Sequence, residues 1–466
     1  MEKVLLINPP SSVSIYQKSK IRAAVPRIPL LVLAVLAAPL IKEGYKVEIL
    51  NLILSDDPRR DLTNKLKSFK PDVVGVTFTT PLFAEAAQIS RSIKRFNPKI
   101  IIVGGGVHAT ALPEETLRNS EIDILVIGEG DYALVDILKA ANYKKVPGIA
   151  YKEGNKTVFT EPRKLIRDLD TLPLPAWNLY ETEKYITPKV TSRENPVGGM
   201  ETARGCPFNC TFCNKNIHGC IFRPKSAERV VEEMEYMLRM GFNEIHIWED
   251  LFTTDLNRAK EICRLILKKK LKFPWNLFTG IRVNIGDQEF FNLTKRAGCY
   301  SVSFGYESGN QLLLNNVNKG ITLEQSIKIT KMAKKAGLEI VGFFMFGLPG
   351  ETEKTMKNTI DFANKLNPDY AKITLLLPFP DTKLFDQLDK EGRIKSKDWT
   401  KYNFHHTKEV WEHPNLSWPT LQKYYDLFYK KFYLRPEYIL RAVGRGVKNK
   451  SLPYDIWYGL KTFLPV

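Results

Sequence analysis

Short apolar runs alternate with amphipathic stretches along the first third of the chain. Lys3–Asn8 is an apolar run that ends in Pro9 and Pro10. Residues 28–43 carry helical spacing and stop at Gly44, and Lys46–Asn51 follows as a second strand. Residues 61–68 and 84–96 read as helices, and 72–78 and 99–103 as strands. A helix from about Pro113 leads to a strand at 122–127 and a helix at 132–141. Strands alternating with helices of this length predict a doubly wound parallel sheet covered on both faces. Such sheets bind ligands at the carboxyl ends of their strands. Here those ends are 9–12, 77–81 with Thr79 and Thr80, 104–108 and 128–130. The glycines there let a bulky ligand approach the backbone.

Residues 147–158 read as a small hairpin turning at Gly154-Asn155. Residues 168–177 are proline-spaced and extended, as suits a connection between domains. A second strand–helix series then begins with a strand at 199–204. Strands at 244–248, 275–280, 301–305, 339–344 and 371–376 alternate with helices at 227–240, 256–269, 288–297, 323–336 and 352–366. Six such units are too few for a closed eight-fold barrel. In parallel barrels the chemistry sits at the C-terminal strand ends. The expected domains are 1–145, a linker at 146–195, a partial barrel at 196–395 and a mostly helical, aromatic-rich region at 396–466. Apolar positions over 424–433 have helical spacing, with a face for the barrel. Arg441, Arg445, Lys448 and Lys450 then precede an aromatic, amphipathic stretch at 454–464. A basic segment beside an aromatic one can lie on an anionic membrane surface, although core packing is the simpler reading.

Composition narrows the class. The 466 residues suffice for two to four domains, and 44% hydrophobic with 26% charged residues describes an ordinary globular protein. The most apolar run, 28–41, is shorter than the ~20 residues of a membrane span, and the N-terminus reads as a strand rather than a secretory signal. The net charge of +18 could draw nucleic acid, anionic lipid or an acidic substrate. No nucleic-acid motif is present, and Lys-rich surfaces are common in heat-adapted proteins. Six cysteines are too few and too uneven for a disulfide scaffold, which argues for a reducing, cytoplasmic setting. Cys263 and Cys299 lie in apolar, helix-like contexts and read as core residues.

The other cysteines carry the chemistry. Cys206, Cys210 and Cys213 stand in a Cys-x3-Cys-x2-Cys spacing, with Phe212 before the third and Gly205 and Pro207 turning the start of the loop. Three thiolates on one loop can ligate an iron–sulfur cluster. A zinc knuckle completed by His218 or Cys220 is the alternative. The loop resembles the signature of the radical S-adenosylmethionine (SAM) enzymes, and the six-unit series then matches that family's open six-fold barrel. The resemblance implies a 4Fe–4S cluster whose unligated iron chelates the amine and carboxylate of SAM, and reductive cleavage of SAM to a 5′-deoxyadenosyl radical. It also orders the other strand ends. Glu249 and Asp250 resemble the acidic pair for the methionyl ammonium, and Arg282 would pair with the SAM carboxylate. Glu307 and Ser308 would take the ribose or amino group, and Gly347 would allow close adenine stacking.

Gly104-Gly105-Gly106 through His108, and Gly128-Glu129-Gly130, are similar to the turns of the cobalamin-binding domain that precedes the radical domain in one large class of this family. Proteins that ligate cobalt through histidine carry Asp-x-His-x-x-Gly after the first strand, where this chain reads Asn8-Pro9-Pro10-Ser11-Ser12-Val13. The resemblance therefore implies cobalamin with no protein ligand to cobalt, and His108 as a polar lining residue. It implies a methyltransferase acting on an unactivated carbon, or else a cyclase or a lipid- or porphyrin-modifying enzyme of the same architecture. A small-molecule, lipid or tetrapyrrole substrate and an electron donor such as flavodoxin or ferredoxin would be its partners. A non-catalytic cluster or corrinoid carrier would leave the strand-end motifs without purpose.

Overall fold

A computed structural model describes residues 3–10, 26–154, 156–403 and 408–463. Strands β1 (Lys3–Asn8), β2 (Lys46–Asn51), β3 (Val73–Thr77), β4 (Ile101–Gly105) and β5 (Ile124–Val126) form a parallel sheet in the order β2-β1-β3-β4-β5. Alternation explains why both faces are covered. In β1, Val4 and Leu6 join the core under the helices Leu31–Lys42 and Ala133–Lys139, while Leu5 and Ile7 join the core under Pro58–Phe69 and Phe83–Phe96. The hairpin is not a free linker. Its strands β6 (Ile149–Glu153) and β7 (Lys156–Phe159) extend the sheet antiparallel beyond β5, because Ile149, Ala150 and Tyr151 are apolar and become buried there. Asn155 of its turn lies outside the described residues.

The second large sheet begins with β8 (Val197–Met200). The chain then leaves it, and β9 (Ala203–Arg204) pairs antiparallel with β10 (Arg223–Pro224), so the strand expected at 199–204 is split. Strands β11 (Glu244–Ile247), β12 (Trp275–Ile281), β13 (Cys299–Glu307), β14 (Glu339–Phe346) and β15 (Tyr370–Leu375) complete a parallel sheet in the order β8-β11-β12-β13-β14-β15. It is an open six-stranded barrel with β8 and β15 at its edges. The outer helices start where side chains satisfy their free amides. Ser226, Asp255 and Asp287 cap three of them, and Thr322 and Thr352 form capping boxes. Cys263 and Cys299 are buried in this core, as read.

The aromatic C-terminal region closes an exposed edge. The helix Trp418–Tyr433 begins six residues before the expected 424, behind Pro419 in its first turn. Its Tyr433 hydroxyl bonds both the amide and the carbonyl of Ala371, and Tyr429 does the same at Ile373. Tyrosines thus blunt the unpaired ladder of edge strand β15. The preceding segment wedges between the sheets: Phe385, Trp399, Tyr402 and Trp411 share a core with Leu5, Ile102 and Leu125 of the first sheet. Trp399 donates its indole N–H to Glu115. Among the described residues no helix is long and apolar enough to cross a membrane.

Candidate active site at the junction of the two sheets

The cysteine loop is tied at every side. Arg204 pairs with Arg223 across the β9–β10 ladder at its base. Gly205 has φ +85°, and a Cβ there would lie 2.1 Å from the Ile221 carbonyl oxygen, so only glycine fits. The Thr211 amide donates to the Val317 carbonyl at 3.0 Å, the Leu384 amide to Thr211 at 3.0 Å, and Asn214 Nδ2 to Pro380 at 3.2 Å. These bonds seat the loop on the segments that follow β13 and β15. Burial raises the pKa of the Cys206 thiol, with Asp250 and Cys210 adding and the Phe208 amide and Lys215 opposing. Cys213 reaches solvent on one side, yet desolvation by its surroundings, then Cys210, Asp250 and Cys206, push its thiol up to about 11, against Lys319. The three sulfurs therefore share one electrostatic field. Among the described residues no three His, Cys, Asp or Glu side chains converge as a single ion requires. His218 Nδ1 faces Glu129 Oε1 at 3.3 Å, and Cys220 is exposed. Three thiolates on one loop can each take a different iron of a cluster.

The strand ends beside the loop hold the acidic and basic groups, with some of their valences already engaged. Glu249 Oε2 accepts from the amides of Thr202 and Ala203, while its Oε1 is buried without a partner. Burial, partly offset by the Thr202 amide and Arg258, pushes its pKa up to about 7. Asp250 Oδ2 accepts from the Gly205 amide at 3.0 Å. Arg282 is buried, its guanidinium lies 3.7 Å from the centroid of Phe208, and its Nε is unpartnered. Glu307 ends β13 at φ +60° and receives Lys319 Nζ at 2.6 Å, and that ammonium also stands 6.0 Å over the Phe212 ring. An orphaned carboxylate oxygen and an orphaned guanidinium nitrogen beside the loop fit a zwitterionic ligand. Two expectations change. Ser308 is fully buried and its hydroxyl is engaged by Thr359 and the Asn310 amide, so it builds the turn. The Gly347 amide is held by Glu351 Oε2 at 2.7 Å, which leaves that glycine only its φ of +90° to offer a ligand.

On the first sheet, a cavity of about 250 Å³ lies between the strand ends and the helix Leu31–Lys42. Gly104, Gly105, Gly106, Gly128, Glu129 and Gly130 line it. A Cβ on Gly105 would meet nothing nearer than Val126 at 3.9 Å, so a larger side chain there has room to grow toward the cavity. The volume accepts an edge or a planar base of a corrinoid rather than a whole macrocycle. Thr79, Thr80 and His108 do not line it. Thr80 is buried in a short 3-10 turn and Thr79 is exposed. His108 is buried in an aromatic box, stacked on Phe83 at 4.5 Å and edge-on to Trp399 at 5.6 Å, and burial lowers its pKa to about 4. It supports the wedge between the sheets.

The cavity and the cysteine loop share a wall. Glu201, Arg204, Ile217 and His218, from the loop and its approach, complete the lining. Arg204 donates to both Asp131 oxygens at 2.9 Å and to Glu201 at 2.7 Å, and reaches Glu129 at 3.3 Å. Arg223 donates to both oxygens of Glu129, at 2.8 and 3.1 Å. A single carboxylate in the glycine turn thus holds both strands at the base of the loop. Arg223 and Lys319 carry no motif of their own, and Arg204 and Asp131 stand at the edges of the cysteine-loop and glycine-turn motifs with no role read for them. The partners that the two arginines reach in the first sheet lie 73, 75 and 94 residues away, so only the doubled arginine at the loop's ends hinted at them.

A glycine-lined sheet cavity facing a three-cysteine loop at the mouth of an open parallel barrel defines a corrinoid-linked iron–sulfur enzyme. Comparison with known proteins gives the family. Residues 200–363 match the Radical SAM superfamily and residues 23–138 the B12 binding domain. An uncharacterized methyltransferase of Pyrococcus horikoshii is 35% identical over 449 residues, covering 95% of this chain and 94% of that protein. The anaerobic magnesium-protoporphyrin IX monomethyl ester cyclase of Rubrivivax gelatinosus is 32% identical over 386 residues, covering 80% of this chain and 68% of that one. The fold is shared with TsrM, a radical SAM methyltransferase from Kitasatospora setae solved with cobalamin and a 4Fe–4S cluster, at a TM-score of 0.70 and 22% identity over 85% of this chain and 76% of that one. The chain belongs to the cobalamin-binding branch of the radical SAM superfamily. It is an enzyme whose cofactors are a 4Fe–4S cluster, SAM and cobalamin.

Proposed function

We propose that the enzyme methylates an unactivated carbon of a small organic substrate. The shared wall of the corrinoid cavity and the cysteine loop supports this most directly, because Arg204, Ile217 and His218 belong to both. When bound, the cofactors supply a 5′-deoxyadenosyl radical and a methyl donor. Cys206, Cys210 and Cys213 would hold the cluster. Glu249 Oε1 is free to accept from the SAM ammonium, and Arg282 Nε to donate to its carboxylate. Glu307, Asp250, Phe212 and the Gly347 turn would complete the SAM site, and the glycine turns at 104–106 and 128–130 the corrinoid cradle. The anaerobically reconstituted protein should take up cobalamin, release 5′-deoxyadenosine and move a deuterated methyl group from SAM to the bound corrinoid. Cluster assembly and SAM cleavage without any cobalamin uptake would rule out the methyl donor. Radical cyclisation of a tetrapyrrole, as in the Rubrivivax relative, would then be the better reading.

The surface suggests two partners. The charge of +18 suits an acidic electron donor such as flavodoxin or ferredoxin. The helix Pro436–Lys448 bears exposed Leu440, Val443 and Val447 at spacings of three and four, while Arg441 and Arg445 are tied down to Asn367 and Asp369. With exposed Tyr454, Ile456 and Trp457 beside it, this face suits the cytoplasmic surface of an anionic bilayer. Flotation with phosphatidylglycerol vesicles, and its loss in Leu440→Glu, tests the contact.

A further inference from the structure

The lumen of the open barrel holds a cation, Lys372, that has no counter-charge among the described residues. Along β15, Ala371, Ile373 and Leu375 enter the helix-facing core, so Lys372 projects to the opposite, lumenal face. Phe343 does the same from β14, where Gly342 and Phe344 alternate with it. Lys372 Nζ stands 5.6 Å from the Phe278 centroid and 5.8 Å from that of Phe343. Phe278 is stacked on Trp248 at 4.6 Å with ring planes 1° apart, and on its neighbour His246 at 5.9 Å and 11°. The ammonium therefore faces an aromatic wall that ends at the exposed Trp248, beside Glu249.

Among the described residues no carboxylate or carbonyl receives this ammonium, and desolvation alone lowers its pKa. On the neighbouring strand β14, Glu339 is already committed to Arg193 at 2.7 Å and Asn449 at 2.8 Å, and on β11, across the barrel, Glu244 is committed too. Glu244 bonds His246 at 2.6 Å, the Tyr300 hydroxyl at 2.6 Å and the amides of Arg193 and Glu194. The strand register gives Lys372 its height. It pairs with Phe343, which pairs with Gly305, and the next rung holds Phe344 and Glu307. Lys372 thus lies one rung below the strand end that meets the cysteine loop. Lys372 is half-buried, so a ligand that fills the lumen and strips the water from its ammonium leaves a charge that only an anionic partner compensates without penalty. Cation–π contact with two phenyl rings offsets only part of it.

We infer that Lys372 receives an anionic substituent, a carboxylate or a phosphoryl or phosphonyl oxygen, of a small substrate that lies against the Trp248–Phe278 wall. This deepens the methyltransferase reading by assigning its substrate an anionic class. SAM carries a carboxylate too, so the test must separate the two sources.

The full chain, with cluster and cobalamin reconstituted, is titrated by calorimetry with phenylphosphonate, benzoate and the neutral benzamide, and separately with SAM. The unaltered protein should bind at least one anion more tightly than benzamide. Lys372→Met should weaken that anion about tenfold or more, the worth of a charge-assisted hydrogen bond. Benzamide and SAM affinities should stay within twofold, and the melting temperature should hold or rise. Equal anion binding by both proteins, or no anion binding by the unaltered one, would overturn the inference. So would a loss of SAM affinity in Lys372→Met, which would assign the amine to the SAM carboxylate. No turnover is needed, so failure of methyl transfer would show itself separately.

Discussion

Glu351 carries a consequence for pH at the scale of one residue. It is fully buried, and its carboxylate accepts from the amides of Gly347 and Leu348 and from Thr355. Burial raises its pKa from 4.5 to about 7, those bonds opposing. The folded chain therefore binds this proton more tightly than the unfolded one, so its contribution is complete below about 4.5 and is lost as pH rises toward 7. At 1.36 kcal/mol per unit the loss amounts to roughly 3 kcal/mol. In Glu351→Gln, unfolding followed by denaturant should lack this decline and exceed the unaltered chain in stability at pH 8. Identical pH profiles would mean that water reaches the carboxylate. Gly105 is the second residue to test. Gly105→Leu should abolish cobalamin uptake and leave the cluster absorbance near 400 nm intact, because the new side chain has open space beside the cavity. The glycines were legible in the sequence because a glycine has few other reasons to recur at a strand end. Ser308 was not, because a hydroxyl reads the same whether it faces a ligand or Thr359.

Among elements, the cysteine loop tests the cluster assignment. Replacing Cys206, Cys210 and Cys213 together by alanine should remove the cluster absorbance and all SAM cleavage, and leave the fold, since backbone bonds at Thr211, Leu384 and the β9–β10 ladder hold the loop without them. A cluster retained in the triple variant, through Cys220, would sink the assignment. The helix Trp418–Tyr433 makes a separate claim. Phenylalanine at Tyr429 and Tyr433 should cost about 1–3 kcal/mol together and speed hydrogen exchange at the Ala371 and Ile373 amides, which lose their hydroxyl partners. Long elements with a clear period were legible within a few residues, as at Lys46–Asn51 and Lys3–Asn8. The break after Met200 was not, since residues 199–204 contain no proline to mark it and the cross-strand partner at Arg223 that diverts them is distant in sequence. The hairpin was found but misplaced, because its turn is local while its pairing with β5 is set by burial of Ile149 and Ala150.

At the scale of the whole molecule, what matters is how the corrinoid sheet is fixed to the barrel, and the sequence was silent there. Both arginines that do it are ordinary residues until the fold brings Glu129 between them. Desolvation would raise the pKa of Glu129, but bonds from His218, Arg223 and the Ile166 amide, and the charge of Arg204, outweigh it and bring the pKa down to about 2. For a carboxylate with a lowered pKa, the contribution is present above the unfolded value of about 4.5 and lost as pH falls toward 2. The shift corresponds to roughly 3 kcal/mol. Because Glu129 belongs to the first sheet and Arg204 and Arg223 to the base of the cysteine loop, that loss should appear as uncoupling of the two halves before either unfolds. Limited acid proteolysis of the apoprotein with pepsin should therefore open residues 160–195 between pH 4.5 and 3, while the helices of each half stay protected. Glu129→Gln should show the same cleavage already at pH 6 with a neutral-pH protease. Its amide cannot neutralise Arg223, whose buried guanidinium has no other carboxylate within bonding distance among the described residues. Matching cleavage profiles for the variant and the unaltered chain at pH 6 would show that the aromatic wedge around Trp399 holds the halves together, and that the clasp only orients the loop.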